Sequence, residues 1–263
     1  MLPHAQIVLE TSNLSIGYAS KKHTDTVAGP INITLQKGQL VGLVGANGIG
    51  KSTLLRTLTH VQKPLAGNIF INSKPLHTYE PKELAKQLSL VLTEPIPSKN
   101  LSVYEVVGLG RQPYTNWVGT LSEEDKYITN RALEQTNIEA LKSKICYELS
   151  DGQLQKVMIA RALAQDTDLI ILDEPTTHLD MYHKAYILKL LQKLAKETNK
   201  TILFSSHEID LAIQLCDAMI VMSKDEVVSG TPCSLIEKGI FTSLFPKDLI
   251  AFDETTGSFR VKK

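Results

Sequence analysis

Two apolar patterns alternate along the chain. Positions of period two run through Ile31-Asn32-Ile33-Thr34-Leu35 and Asn68-Ile69-Phe70-Ile71, the spacing of strands with one buried and one exposed face. Continuous apolar runs at Leu40 to Val44, Leu169 to Leu172 and Ile202 to Phe204 end in glycine or polar residues. Such runs predict parallel strands buried on both faces, with ligand chemistry at their C-terminal ends. Between 94 and 165 the spacing turns helical: Leu154, Val157, Met158 and Ala162 share one face, while Gln155, Lys156 and Arg161 fall elsewhere. The segment reads as a helical insertion in an α/β core, its first part punctuated by Pro95, Pro97 and Pro113.

Composition then excludes several classes. A chain of 263 residues, 43% hydrophobic, buries a full core as one large domain or two small ones. Lys plus Arg equals Asp plus Glu at 28 each, so no net positive field favours a nucleic acid, and none is expected as a partner. Three scattered cysteines, Cys146, Cys216 and Cys233, fit neither a disulfide framework nor a clustered metal site and predict a reducing compartment. The opening MLPHAQIVLE lacks a basic stretch followed by an apolar one, and no apolar run reaches the ~18 residues of a membrane span.

The chemistry begins after the run Leu40 to Val44. Residues 45–53, GANGIGKST, match the pattern G-x-x-x-x-G-K-[ST], in which backbone N–H groups and a helix N-terminus cradle phosphates. Asn47, Gly48, Gly50 and Thr53 belong to this cradle. Lys51 is expected to reach the terminal phosphates and Ser52 to offer a hydroxyl to magnesium. Asp173 and Glu174 end the buried run LIIL. Asp173 suits Mg2+, directly or through water, and Glu174 suits a general base for an attacking water. His207 ends TILFSSH, 33 residues after Glu174, where it can reach a γ-phosphate. The stretch LSDGQ at 149–153 reads two ways. Ser150 and Gln153 make a capping box, and the same helix N-terminus, with Gly152 permitting close approach, is an anion site.

With the phosphate loop, LSDGQ, LIILDEP and SSH in this order, the chain resembles the ATP-binding subunits of ATP-binding-cassette (ABC) transporters over roughly residues 7 to 235. The resemblance implies an α/β fold. It combines a P-loop NTPase core on a mostly parallel sheet with an N-terminal antiparallel β-subdomain and an inserted α-helical subdomain at about 94–165. Residues 236–263 follow as an extension, either a small β-ribbon or a partner contact. It implies ATP and Mg2+ as cofactors, Glu174 and His207 as catalytic residues, and Tyr18, 27 residues before Gly45, stacked on the base. Ser150, Gly152 and Gln153 would grip the γ-phosphate held by a second copy of the chain in a head-to-tail pair, with Asp180 of TTHLD facing that copy. Two departures stand out. Asp151 replaces a glycine, and Glu94 replaces a glutamine that contacts magnesium, keeping an oxygen ligand but adding a charge. The segment VVGLGRQPY followed by LSEED is similar to importers of iron-siderophore complexes, haem and cobalamin. That likeness implies transmembrane permease subunits as partners, a substrate-binding protein acting indirectly, and a peripheral place on the cytoplasmic face of the inner membrane. The alternative is a soluble mechanical ATPase of DNA repair, translation or cofactor assembly.

Overall fold

The computed structural model describes residues 6–20, 23–92, 100–245 and 248–261; Glu94, Pro95 and Pro97 lie outside the described residues. Strands β1 (Ile7–Ala19), β2 (Thr24–Ile31), β3 (Thr34–Gln36), β5 (Ala66–Ile71) and β6 (Lys74–Pro75) form an antiparallel sheet in which β1 is the shared partner of β2, β3 and β5. The alternating stretch 31–35 is not one strand. Ile31, Ile33 and Leu35 are buried as its period predicts, but the ladder breaks between β2 and β3, where buried Thr11 intervenes. Its hydroxyl donates to the Ile31 carbonyl (3.0 Å) and accepts from the Ile33 N–H (3.0 Å). A side chain replaces the ladder there, so burial periodicity survives a change of strand.

The second sheet has six strands: β4 (Leu40–Gly45), β7 (Leu88–Val91), β8 (Leu169–Leu172), β9 (Thr201–Ser206), β10 (Ala218–Met222) and β11 (Val227–Gly230), in the order β11-β10-β4-β9-β8-β7. All neighbours are parallel except the edge pair β10 and β11. Every residue of β4, β8 and β9 is buried, because both faces of this sheet are covered. Val41, Leu43, Leu169, Ile171 and Leu203 point to the antiparallel sheet and to α1 (Lys51–Leu58). Leu40, Val44, Ile170, Leu172 and Phe204 point the other way, toward the helices.

Those helices, after the short α2 (Pro81–Leu84), are α3 (Val103–Gly108), α4 (Glu123–Gln135), α5 (Asp151–Ala164) and α6 (Met181–Thr198). Helices α3, α4 and α5 pack on one another, and each starts at a capping box: Ser102 with Glu105, Ser122 with Asp125, Ser150 with Gln153. The expected one-faced α5 is corrected. Gly152, Val157, Ile159, Ala160, Ala162, Leu163 and Ala164 are buried while Leu154 and Met158 are only half-buried. Squeezed between α3, α4 and the sheet, α5 uses small residues on several faces instead of one apolar stripe. The chain ends with α7 (Ile209–Leu215), α8 (Pro232–Glu237) and a ribbon of β12 (Ile250–Asp253) and β13 (Ser258–Val261). Among the described residues no helix is long and apolar enough to cross a membrane.

Candidate nucleotide site

The phosphate loop joins β4 to α1 at the C-terminal edge of the parallel sheet. Gly50, the residue before the helix, has φ 111°, and a Cβ there would lie 2.3 Å from Val27, so only glycine fits. Lys51 is folded back over the loop. Its Nζ donates to the carbonyls of Gly45 (3.0 Å) and Ala46 (3.2 Å) and lies 3.4 Å from His207 Nδ1. Burial pulls the Lys51 ammonium below its ordinary pKa, and the carboxylates of Glu174 and Asp173 pull it back up. Those acids oppose the loss of its charge where phosphates would arrive.

An ammonium only donates, so His207 Nδ1 accepts from Lys51 and the ring proton resides on Nε2. From there it donates to Glu174 Oε1 at 2.6 Å. Glu174 Oε2 accepts from Thr177 Oγ1 (3.0 Å), and the Glu174 backbone N–H donates to Ser205 Oγ (2.8 Å). The same serine hydroxyl donates to Asp173 Oδ1 at 2.7 Å. Ser205, on β9, therefore holds the Asp173 carboxylate and the Glu174 backbone just beyond the end of β8. Its only trace in the sequence is a pair of polar residues closing an apolar run, and it was absent from the expected site, as was Thr177. Glu174 is also held in the left-handed region, with φ 49°, a conformation that non-glycine residues adopt where surroundings compel it.

An open cavity of about 420 Å³ is lined by Tyr18, Asn47, Gly48, Gly50, Lys51, Ser52, Thr53, Glu174 and His207. Nine expected residues from β1, the phosphate loop, β8 and β9 thus converge on one space. Tyr18 is half exposed at its rim, its hydroxyl 3.1 Å from Thr53 Oγ1. Asp173 is buried behind it. Ser52 and Asp173 present oxygen donors only, the hard ligands that magnesium takes alongside phosphate oxygens.

Ser150, Gly152, Gln153 and Asp180 are not among the residues lining this cavity. Within one chain the capping box is made: the Gln153 N–H donates to Ser150 Oγ (3.4 Å) and the Ser150 N–H to Gln153 Oε1 (3.2 Å). Asp180 caps α6, accepting from the His183 N–H and lying 2.8 Å from His183 Nδ1. The imidazole of His183 in turn lies against Gly152, tying the loop of Asp180 to the start of α5. Asp151 is exposed in the first turn of α5, where the helix dipole favours a carboxylate.

The chain is similar to known proteins in sequence and in fold. A family model described as ABC transporter matches residues 28–177, from β2 past Glu174. The chain is 37% identical over 241 residues to an iron(3+)-hydroxamate import ATP-binding protein of Bacillus subtilis, covering 91% of this chain and 88% of that one. It is 36% identical over 241 residues to an achromobactin transport ATP-binding protein of Dickeya dadantii, with the same coverage, 91% and 88%. A solved dimeric ATP-binding cassette in a post-hydrolysis state, bound to ADP and phosphate, matches with TM-score 0.72 and 26% identity over 85% of this chain and 98% of that one. A phosphate loop facing a strand-end glutamate and histidine, in a chain matched along nearly its whole length, leads to one assignment: the chain belongs to the ABC transporter family, as one of its ATP-binding, ATP-hydrolysing subunits.

Proposed function

We propose that this subunit powers an importer of metal chelates or related macrocycles, of the iron-siderophore, haem and cobalamin kind, and that two copies close head to tail on ATP. The observation that carries the paired arrangement is the split of the site. The cavity holds the loop, Glu174 and His207, while Ser150, Gly152 and Gln153 stand at another helix start and need a second chain to meet a γ-phosphate. The solved relative that is dimeric with ADP and phosphate supports a pairing of two chains. The substrate class is supported by the relatives named for hydroxamate and achromobactin transport, which also disfavour the soluble mechanical ATPase. Residues 1–235 would form the ATPase domain, with about 94–165 as its helical insert and 236–263 as an appended extension. Permease subunits would be the membrane partners, holding the chain on the cytoplasmic face.

In this reading Tyr18 stacks on the base, the phosphate loop and Lys51 hold the phosphates, and Ser52 and Asp173 hold Mg2+, which shields phosphate charge. Glu174 takes a proton from the attacking water and His207 steadies the γ-phosphate. Tyr18→Ala is expected to weaken ATP binding by about 1–3 kcal/mol, the usual loss when a stacking ring is removed, while Tyr18→Phe keeps affinity; equilibrium dialysis of ATP distinguishes them. The import reading is tested by co-reconstituting the chain with its permease in vesicles and following ATP-dependent uptake of ferric hydroxamate and cobalamin. Uptake of either supports it, and a chain that associates with no permease overturns it.

A further inference from the structure

Helix α7 starts two residues after His207 and has little of its own to hold it. At seven residues it is too short to be stable alone, and Glu208 before it provides no side-chain cap. Instead it is held from both sides. On the inner side Ala212 is buried near Gly42 of β4, and Glu208 pairs with Lys184 of α6 at 2.5 Å. On the outer side lies the C-terminal ribbon. Asp210 Oδ1 accepts from the Phe259 N–H at 3.3 Å, and Gly257 in the ribbon's turn lies against Ile213 of α7.

The ribbon is itself fastened by aromatic rings. Phe259 meets Phe252 and Phe245 edge-on at 5.0 Å each, and Phe252 stacks at 5.1 Å on Phe241, which is fully buried. Phe245, with Leu244, also lines a cavity of about 410 Å³ that Ala46, Asn47, Gly48 and Ile49 of the phosphate loop line as well. One aromatic cluster therefore borders both the phosphate loop and the helix that begins two residues after His207.

We propose that Asp210 is a positioning residue for ATP hydrolysis, coupling His207 through α7 to the aromatic brace of the C-terminal ribbon. The Ile209 N–H donates to the His207 carbonyl at 3.1 Å, so a tilt of α7 displaces the imidazole that bridges Lys51 and Glu174. ATP is held by the loop and by Tyr18, whereas α7 packs against β4, α6 and the ribbon, so the defect belongs in turnover and not in affinity.

The test is basal ATP turnover of the full-length chain, with Glu174→Gln as the inactive reference that keeps this inference separate from the ATPase assignment. Asp210→Ala is expected to lower kcat by roughly 3- to 30-fold, within the range that a sub-ångström misplacement costs, with the KM for ATP changed by less than about twofold. Asp210→Asn keeps an oxygen to accept from Phe259 and restores most of the turnover. A chain ending after Phe245 reproduces the Asp210→Ala loss, and combining the two adds nothing, as expected of groups acting through one contact. Should the shortened chain fail to fold, the two point variants decide. Wild-type kcat in Asp210→Ala, equal losses in the Ala and Asn variants, or a raised KM at unchanged kcat each overturns the proposal.

Discussion

Replacing Glu174 with glutamine is expected to lower ATP turnover by ~10² to 10⁴, the usual contribution of a positioned general base, while ATP binding stays within about threefold of wild type. Glutamine is nearly the same shape. Its side-chain oxygen can still accept from Thr177 Oγ1 or His207 Nε2, the partners of the native carboxylate, and its backbone N–H keeps Ser205. What it lacks is basicity. In the proposed reading the phosphate contacts lie with Lys51 and the loop, which the substitution leaves in place, so affinity and chemistry should separate cleanly. With hydrolysis slowed, the ATP-bound state accumulates, and light scattering of the variant should show the mass doubling only with Mg2+ and ATP. ATP is then the ligand that stabilises the pair. A monomer in both conditions would overturn closure by the isolated subunit and leave Ser150 and Gln153 as a helix cap alone. Turnover unchanged in the variant would remove Glu174 from the role of base.

The half of this site built from Asp173, Glu174 and His207 was readable in the sequence because its residues follow strand ends. A buried run such as LIIL announces a parallel strand, and the sheet then delivers whatever follows it to one edge. Asp173, Glu174 and His207 could be placed beside Lys51 on that ground. Ser205 could not, since a serine within β9 leaves no periodic mark and its importance comes from hydrogen bonds to the two residues just after the neighbouring strand. The break between β2 and β3 was hidden for a related reason: Thr11, twenty residues from Ile31, supplies the hydrogen bonds that the ladder would have made. Ser150 to Gln153 was legible as a cap, and the cap is formed; the proposed meeting with a phosphate would depend on another molecule. The ribbon at the C-terminus has short alternating strands, yet its fastening is four phenylalanines and an aspartate on α7, contacts without local spacing to announce them.

Arg111 belongs to the stretch GRQPY that carries the likeness to chelate importers, and its place in the fold gives that stretch a structural reason. The residue is 4% exposed. Its Nε donates to Asp125 Oδ1 at 2.8 Å and its Nη1 to the Ala164 carbonyl at 2.9 Å, while its Cζ lies 3.9 Å from the Tyr114 ring centroid. One guanidinium thus pins the start of α4 to the end of α5. Neighbouring Gly110 lets the turn press against α5, since a Cβ there would lie 2.3 Å from the Arg161 carbonyl. Burial pushes the Asp125 carboxyl up, but hydrogen bonds from Ser122 and Arg111 outweigh it and hold the group below its usual range. It therefore stays charged and depends on its partners. Arg111→Ala should cost about 3–5 kcal/mol in denaturant unfolding, because it strands a buried carboxylate and a buried carbonyl. Arg111→Lys should recover only part of this, as one ammonium does not reproduce the planar fork. In the double variant Arg111→Ala with Asp125→Ala, the loss should be smaller than the sum of the single losses, since the stranded charge is gone. If the losses add, the ion pair is not what joins α4 to α5, and the stacked Tyr114 ring is left as the main contact.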